Sequence, residues 1–132
     1  MKMMRYFFFC SLTIAATLFV GKADAVEPIN FEIRNNADLV AVCSAQPSDA
    51  NYIAAIHFCH GFGVGFGRYH DALKEGKNFV PLFCFPEKLT RTDALNAYVV
   101  YSKLHPEYDK EAVGDVVTKF LIETYPCKPK KQ

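Results

Sequence analysis

The sequence predicts an all-α fold: a small four-helix domain with a short first helix, a long central helix and a C-terminal helical hairpin, stapled by two disulfides. Three observations lead to it. Apolar residues recur at three- and four-residue spacing in separate stretches, which is the helical period. Prolines at 47, 86, 106 and 126 divide those stretches, and helices end at or before such residues. Four cysteines, Cys43, Cys59, Cys84 and Cys127, fall among the apolar faces.

The chain opens with a targeting segment. Lys2 and Arg5 precede an apolar run from Tyr6 to Val20, and Ala23-Asp24-Ala25 carries small residues where a signal peptidase reads. Residues 1–25 are therefore expected to be a signal peptide removed after Ala25, with no membrane segment left afterwards. The alternative is an uncleaved anchor, although the run is shorter than the roughly 20 residues that cross a bilayer. Cys10 leaves with the signal.

Residues 26–132 suffice for one small domain, expected over 26–127. Without Lys2, Arg5, Lys22 and Asp24 this part holds 12 basic and 13 acidic residues, a net charge of −1. No clustered positive charge argues for nucleic acid as a partner. An even cysteine count in a small exported domain reads as two disulfides. Zinc is the alternative, but the spacings contain no C-x-x-C pair.

Taken in order, Val26 to Arg34 looks extended, with Phe31 and Ile33 alternating against Glu32 and Arg34. Asn35 or Asn36 can cap a short helix carrying Leu39, Val40 and Cys43. Ser48 or Asp49 can cap the central stretch, which runs to Glu75. Its Gly61-Phe-Gly-Val-Gly-Phe-Gly67 run admits two readings, one long helix or a helix broken by a short strand. The long helix is adopted, although each interior glycine costs about 0.8–1 kcal/mol relative to alanine. Gly61 and Gly65, four apart, are then expected to form a helix-packing surface. Asn78 to Pro86, interrupted by Pro81, reads as an apolar strap tethered by Cys84. Thr90 and Asp93 resemble a capping box for a third helix bearing Ala94, Ala97, Tyr98, Tyr101 and Leu104. The fourth helix is expected from about Asp109 to Tyr125, with Val113, Val116, Val117, Phe120 and Leu121 buried. Residues 128–132 read as a disordered basic tail.

An antiparallel hairpin of the third and fourth helices brings Cys84 and Cys127 to its open end. A short connection that folds the first helix back along the second can bring Cys43 to Cys59. Each closure contributes roughly 3–4 kcal/mol in the chain-entropy description.

No active site assembles. His57 and His60 are three apart, but H-E-x-x-H is absent and His70 falls on another helical face. The glycine run lacks G-x-G-x-x-G and any lysine before Ser or Thr, and no serine lies in G-x-S-x-G. No catalytic residue, cofactor or metal is expected, and the histidines read as locally hydrogen-bonded.

The ordered set Asn36-x-x-Leu39-x-x-x-Cys43, Cys59-His-Gly61-Phe-Gly-Val-Gly65, Cys84-Phe-Pro86, Leu104-His-Pro-Glu107 and Tyr125-Pro-Cys127 resembles the Rap/Tai immunity protein family from about residue 35 to 127. One departure is Arg68, where members often carry an acid; Asp71 follows one turn later. The resemblance implies a periplasmic immunity protein, not an enzyme, that binds and inhibits a peptidoglycan amidase toxin delivered by type VI secretion, with a homodimer as the candidate assembly. The partner it implies is thus a secreted cell-wall amidase effector. The turn His105-Pro106-Glu107-Tyr108-Asp109 is the candidate partner-binding element: Pro106 restricts the backbone, Tyr108 is an amphipathic anchor, and Glu107 and Asp109 supply charge. The other reading of the turn is that Pro106 only stops a helix and the two acids favour the start of the next through its dipole. The alternative is a small periplasmic structural or stress-response protein on the same scaffold with no toxin partner.

Overall fold

The computed structural model describes residues 25–76 and 78–128. Most of the expected signal segment and of the tail therefore lies outside the described residues. Four α-helices form the domain: α1 Asn36–Cys43, α2 Tyr52–Lys74, α3 Arg91–Leu104 and α4 Val113–Thr124. No strand occurs among the described residues, and both disulfides, Cys43–Cys59 and Cys84–Cys127, are formed.

The segment expected to be extended instead coils into a 3-10 turn, Pro28–Glu32. Pro28 presets the first helical φ, and Glu27 and Asn30 satisfy each other's backbone N–H groups. Ile33 ends the turn at φ 48°, ψ 51°, a left-handed conformation that β-branched residues rarely adopt. Its side chain packs against both hydrophobic clusters of the domain, which holds it there.

α1 starts where Asn35 Oδ1 accepts the Asp38 N–H at 3.1 Å. The buried Asp38 carboxylate also accepts from Arg34 Nε and Nη2, each at 3.0 Å, and from Asn30 Nδ2 at 2.9 Å. The Arg34 hydrogen bonds hold the Asp38 pKa below the ordinary carboxylate value despite burial. Asp38 thus ties the N-terminal turn to α1.

α2 is continuous through all four glycines, none of which has positive φ. The capping expected at Ser48 or Asp49 is not made: the helix starts behind Asn51, and Asp49 Oδ1 accepts the Asn51 N–H at 2.7 Å. The intramolecular packing expected at Gly61 and Gly65 is also corrected. A Cβ at either would meet nothing within 4 Å, whereas one at Gly63 would lie 3.1 Å from Leu95 Cδ2 and one at Gly67 3.7 Å from Phe85 Cε2. α3 crosses α2 at Leu95, so the strip one register over is the one in use.

The strap is irregular, as its prolines dictate. Phe83 points inward and is buried, while Val80, Leu82 and Phe85 are exposed. Cys84 N–H donates to Tyr125 O at 2.8 Å beside the Cys84–Cys127 bridge, fixing the strap to the end of α4. Thr90 Oγ1 accepts the Asp93 N–H at 3.1 Å and caps α3 as its spacing predicts. The fourth helix begins at Val113 rather than Asp109, because Pro106–Tyr108 forms a 3-10 turn and the chain turns again before Ala112. Leu39, Phe83, Tyr98, Val117, Phe120 and Leu121 make the main core; Val26, Val42, Ala55 and Cys59 make a second one.

Candidate functional site

Among the described residues, polar or ligand-sized chemistry is carried by the α3–α4 turn, a groove beside α2 and the histidines of α2.

The turn is held from both sides. Ala37 N–H donates to Asp109 O and Asn36 N–H to Glu111 O, each at 3.0 Å, so the first-turn amides of α1, which have no partner within the helix, clamp the turn backbone. His105 Nδ1 lies 2.9 Å from Glu107 Oε1, a contact that holds the Glu107 pKa below its ordinary value. The His105 and Tyr108 rings stack at 5.2 Å, and Lys119 Nζ caps the Tyr108 ring at 4.3 Å from its centroid. Lys119 also donates to Glu111 at 2.8 Å. Tyr108 is consequently half-buried and engaged within the chain, while Pro106, Glu107 and Asp109 are exposed. The five candidate residues therefore come together, with Tyr108 as a support under the turn and the acids as its outward chemistry.

The groove is absent from any short motif. Phe62, Gly63, Phe66 and Gly67 of α2 form one wall, Phe85 of the strap and Leu89 beyond it another, and Leu95, Tyr98, Phe120 and Leu121 the floor. Its volume is about 270 Å³, and His60, Arg68, Asp71 and Arg91 stand at its edge. Gly63 and Gly67 leave room there that side chains would fill. The walls come from residues up to sixty positions apart, so periodicity within one helix cannot reveal it.

The histidines do not converge. His57 is exposed and His60 half-buried, whereas His70 is buried under the strap. The His70 ring stacks on Phe83 at 3.8 Å and meets Phe79 edge-on at 5.5 Å. Its Nε2 finds no hydrogen-bond partner among the described residues, and burial lowers its pKa. Asp71 pairs instead with Lys74 at 2.9 Å. No group of three or more potential metal ligands occurs among the described residues.

Comparison with known proteins adds one result: the sequence model of the family described as Rap1a immunity proteins matches residues 35–127, well over half of the chain. No match was found among curated proteins or among solved structures.

Proposed function

The chain belongs to the Rap1a immunity protein family, and on that premise we propose that it works in the periplasm by binding and blocking a peptidoglycan amidase toxin delivered by type VI secretion. Membership in an immunity family implies a secreted toxin as partner, and immunity proteins are generally not enzymes. Two disulfides fit an oxidising compartment. Among the described residues no helix is long and apolar enough to cross a membrane. The signal segment expected over residues 1–25 supplies the route of export.

The observation that carries the contact site is the clamped turn His105–Asp109. An amidase cleft is concave, and a convex turn whose backbone is already fixed loses little entropy on entering it. Glu107 and Asp109, both exposed, present carboxylates to the histidine base of such a cleft, with Tyr108 bracing the turn from within the chain. A homodimer fits the outward strip of α2, where Ala54, Gly61, Gly65 and Ala72 are small and exposed and would let a helix of a second copy approach closely.

The test is inhibition. The exported protein is titrated into a secreted-class peptidoglycan amidase, starting with one encoded by a neighbouring gene, and hydrolysis of purified peptidoglycan is followed. Hydrolysis that stops near one equivalent supports the reading; undiminished hydrolysis contradicts it and favours the partnerless structural role.

A further inference from the structure

The geometry points to a built seat for a processed N-terminus: Val26, once freed by cleavage after Ala25, docks its α-ammonium on the Asp49 carboxylate and locks the domain closed. The inference rests on export and cleavage, part of the function proposed above, and not on toxin binding.

Three contacts converge on Val26. Its backbone nitrogen lies 2.6 Å from Asp49 Oδ2. Its carbonyl accepts from Asn51 Nδ2 at 2.8 Å. Its side chain is 3% exposed and packs with Val42, Ala55 and Cys59. Both flanking residues, Ala25 and Glu27, are exposed, so the chain dips into the core at one residue and leaves again. A residue at a chain end is ordinarily frayed unless something ties it down; here the tie is made at the first residue after the expected scissile bond.

The same Asp49 carboxylate serves two ends. Oδ1 accepts the Asn51 N–H at 2.7 Å, which sets the entry to α2, and Oδ2 takes Val26. An internal amide offers this carboxylate one neutral donor, whereas a free α-ammonium offers a full charge and a stronger, charge-assisted hydrogen bond. The two further ammonium protons also need partners. Ala25 lines a cavity of about 540 Å³ together with Ser44, Ser48, Ser102 and Lys103, whose polar groups and size suit ordered water. Removing Ala25 turns the new amino group toward that space.

The charged surroundings favour the pair. Glu27 follows on the same segment, and the turn before α2 supplies Asp49. α1 lines the cavity with Ala37, Val40 and Ala41, and Ser44 follows its last residue, none charged; α3 contributes Lys103, and Asp109 follows the 3-10 turn. Two carboxylates, Asp49 and Asp109, thus line the cavity with one lysine, Lys103. An α-amino group has an ordinary pKa of about 7.7–8.0, and the Asp49 carboxylate in contact raises it against the lowering effect of burial. The stabilisation is complete below the ordinary value and is lost as pH rises through the folded one.

The experiment uses the full chain exported by a secreting host. Intact mass gives the first residue, and an NMR titration of the Val26 resonances gives the α-amino pKa in the folded and the urea-unfolded protein. A Val26 start with a folded pKa at least about one pH unit above the unfolded value supports the seat, as does its return toward the unfolded value in a folded Asp49→Asn protein. A start elsewhere overturns the cleavage reading and the seat together. A Val26 start with equal pKa values in the two states overturns the seat alone, even where Asp49→Asn fails to fold.

Discussion

Tyr98 on α3 donates its phenol O–H to Oδ1 of Asn36, the first residue of α1, at 2.6 Å across 62 positions of sequence, with both side chains buried. Burial pushes the Tyr98 phenol pKa far above its ordinary value, so it remains a donor at any physiological pH. Because Asn36 N–H also clamps Glu111 O, this one asparagine joins α1, α3 and the α3–α4 turn.

Tyr98→Phe leaves the Asn36 oxygen buried without its donor and should cost about 1–3 kcal/mol, read from denaturant unfolding. Pairing it with Asn36→Leu should cost less than the sum of the single changes. Additive losses would show that the two residues act separately.

The glycine strip separates two outcomes. Gly63→Leu drives atoms into Leu95 and should cost about 1–3 kcal/mol. Gly65→Ala faces open space and should raise helix stability by up to about 1 kcal/mol. Melting temperatures of the two variants check this, and a destabilised Gly65→Ala monomer would contradict the register.

Burial depresses the His70 pKa, so the folded chain resists protonating it. The unfolded chain then binds more protons, and the associated stability, complete above the ordinary pKa of about 6.5, is lost as pH falls below it. Asp38, also depressed, loses its contribution only in the lower window beneath the ordinary carboxylate range. Melting temperature should therefore decline as pH falls below about 6.5, and His70→Phe should flatten that part of the profile. An unchanged profile in the variant would count against the buried neutral imidazole.

The bridges should differ with the loops they close. Replacing Cys84 and Cys127 by Ala opens a separation of 43 residues, against 16 for Cys43 and Cys59. In the chain-entropy description the longer loop contributes more, by somewhat under about 1 kcal/mol out of roughly 3–4 each. Denaturation of the two double variants measures the order.

Much of this fold is written locally. Thr90 and Asp93 cap α3, Pro106 and Pro126 stop their helices, and hairpin geometry pairs the cysteines as found. The rest depends on distant partners. Phe31 and Ile33 alternate like a strand, yet Pro28 and the Glu27–Asn30 exchange coil them. Asp49 has the residue type of a helix cap, but the buried Val26 amide takes one of its oxygens. Both glycine strips of α2 have the same spacing, so only the position of Leu95 decides which one packs. The turn was legible as an element, whereas the engagement of Tyr108 by Lys119 and His105 was not, because Lys119 arrives from α4.

The central claim is that the acids of the α3–α4 turn meet the toxin. Glu107→Arg with Asp109→Arg reverses two exposed charges and spares Tyr108 and the backbone clamps. The direct measurement is the affinity of this variant for the amidase that the wild type inhibits, alongside its melting temperature. The account predicts affinity at least about 30-fold weaker, the scale of one interface hot spot, with little change in melting temperature. Wild-type affinity in the folded variant would contradict it.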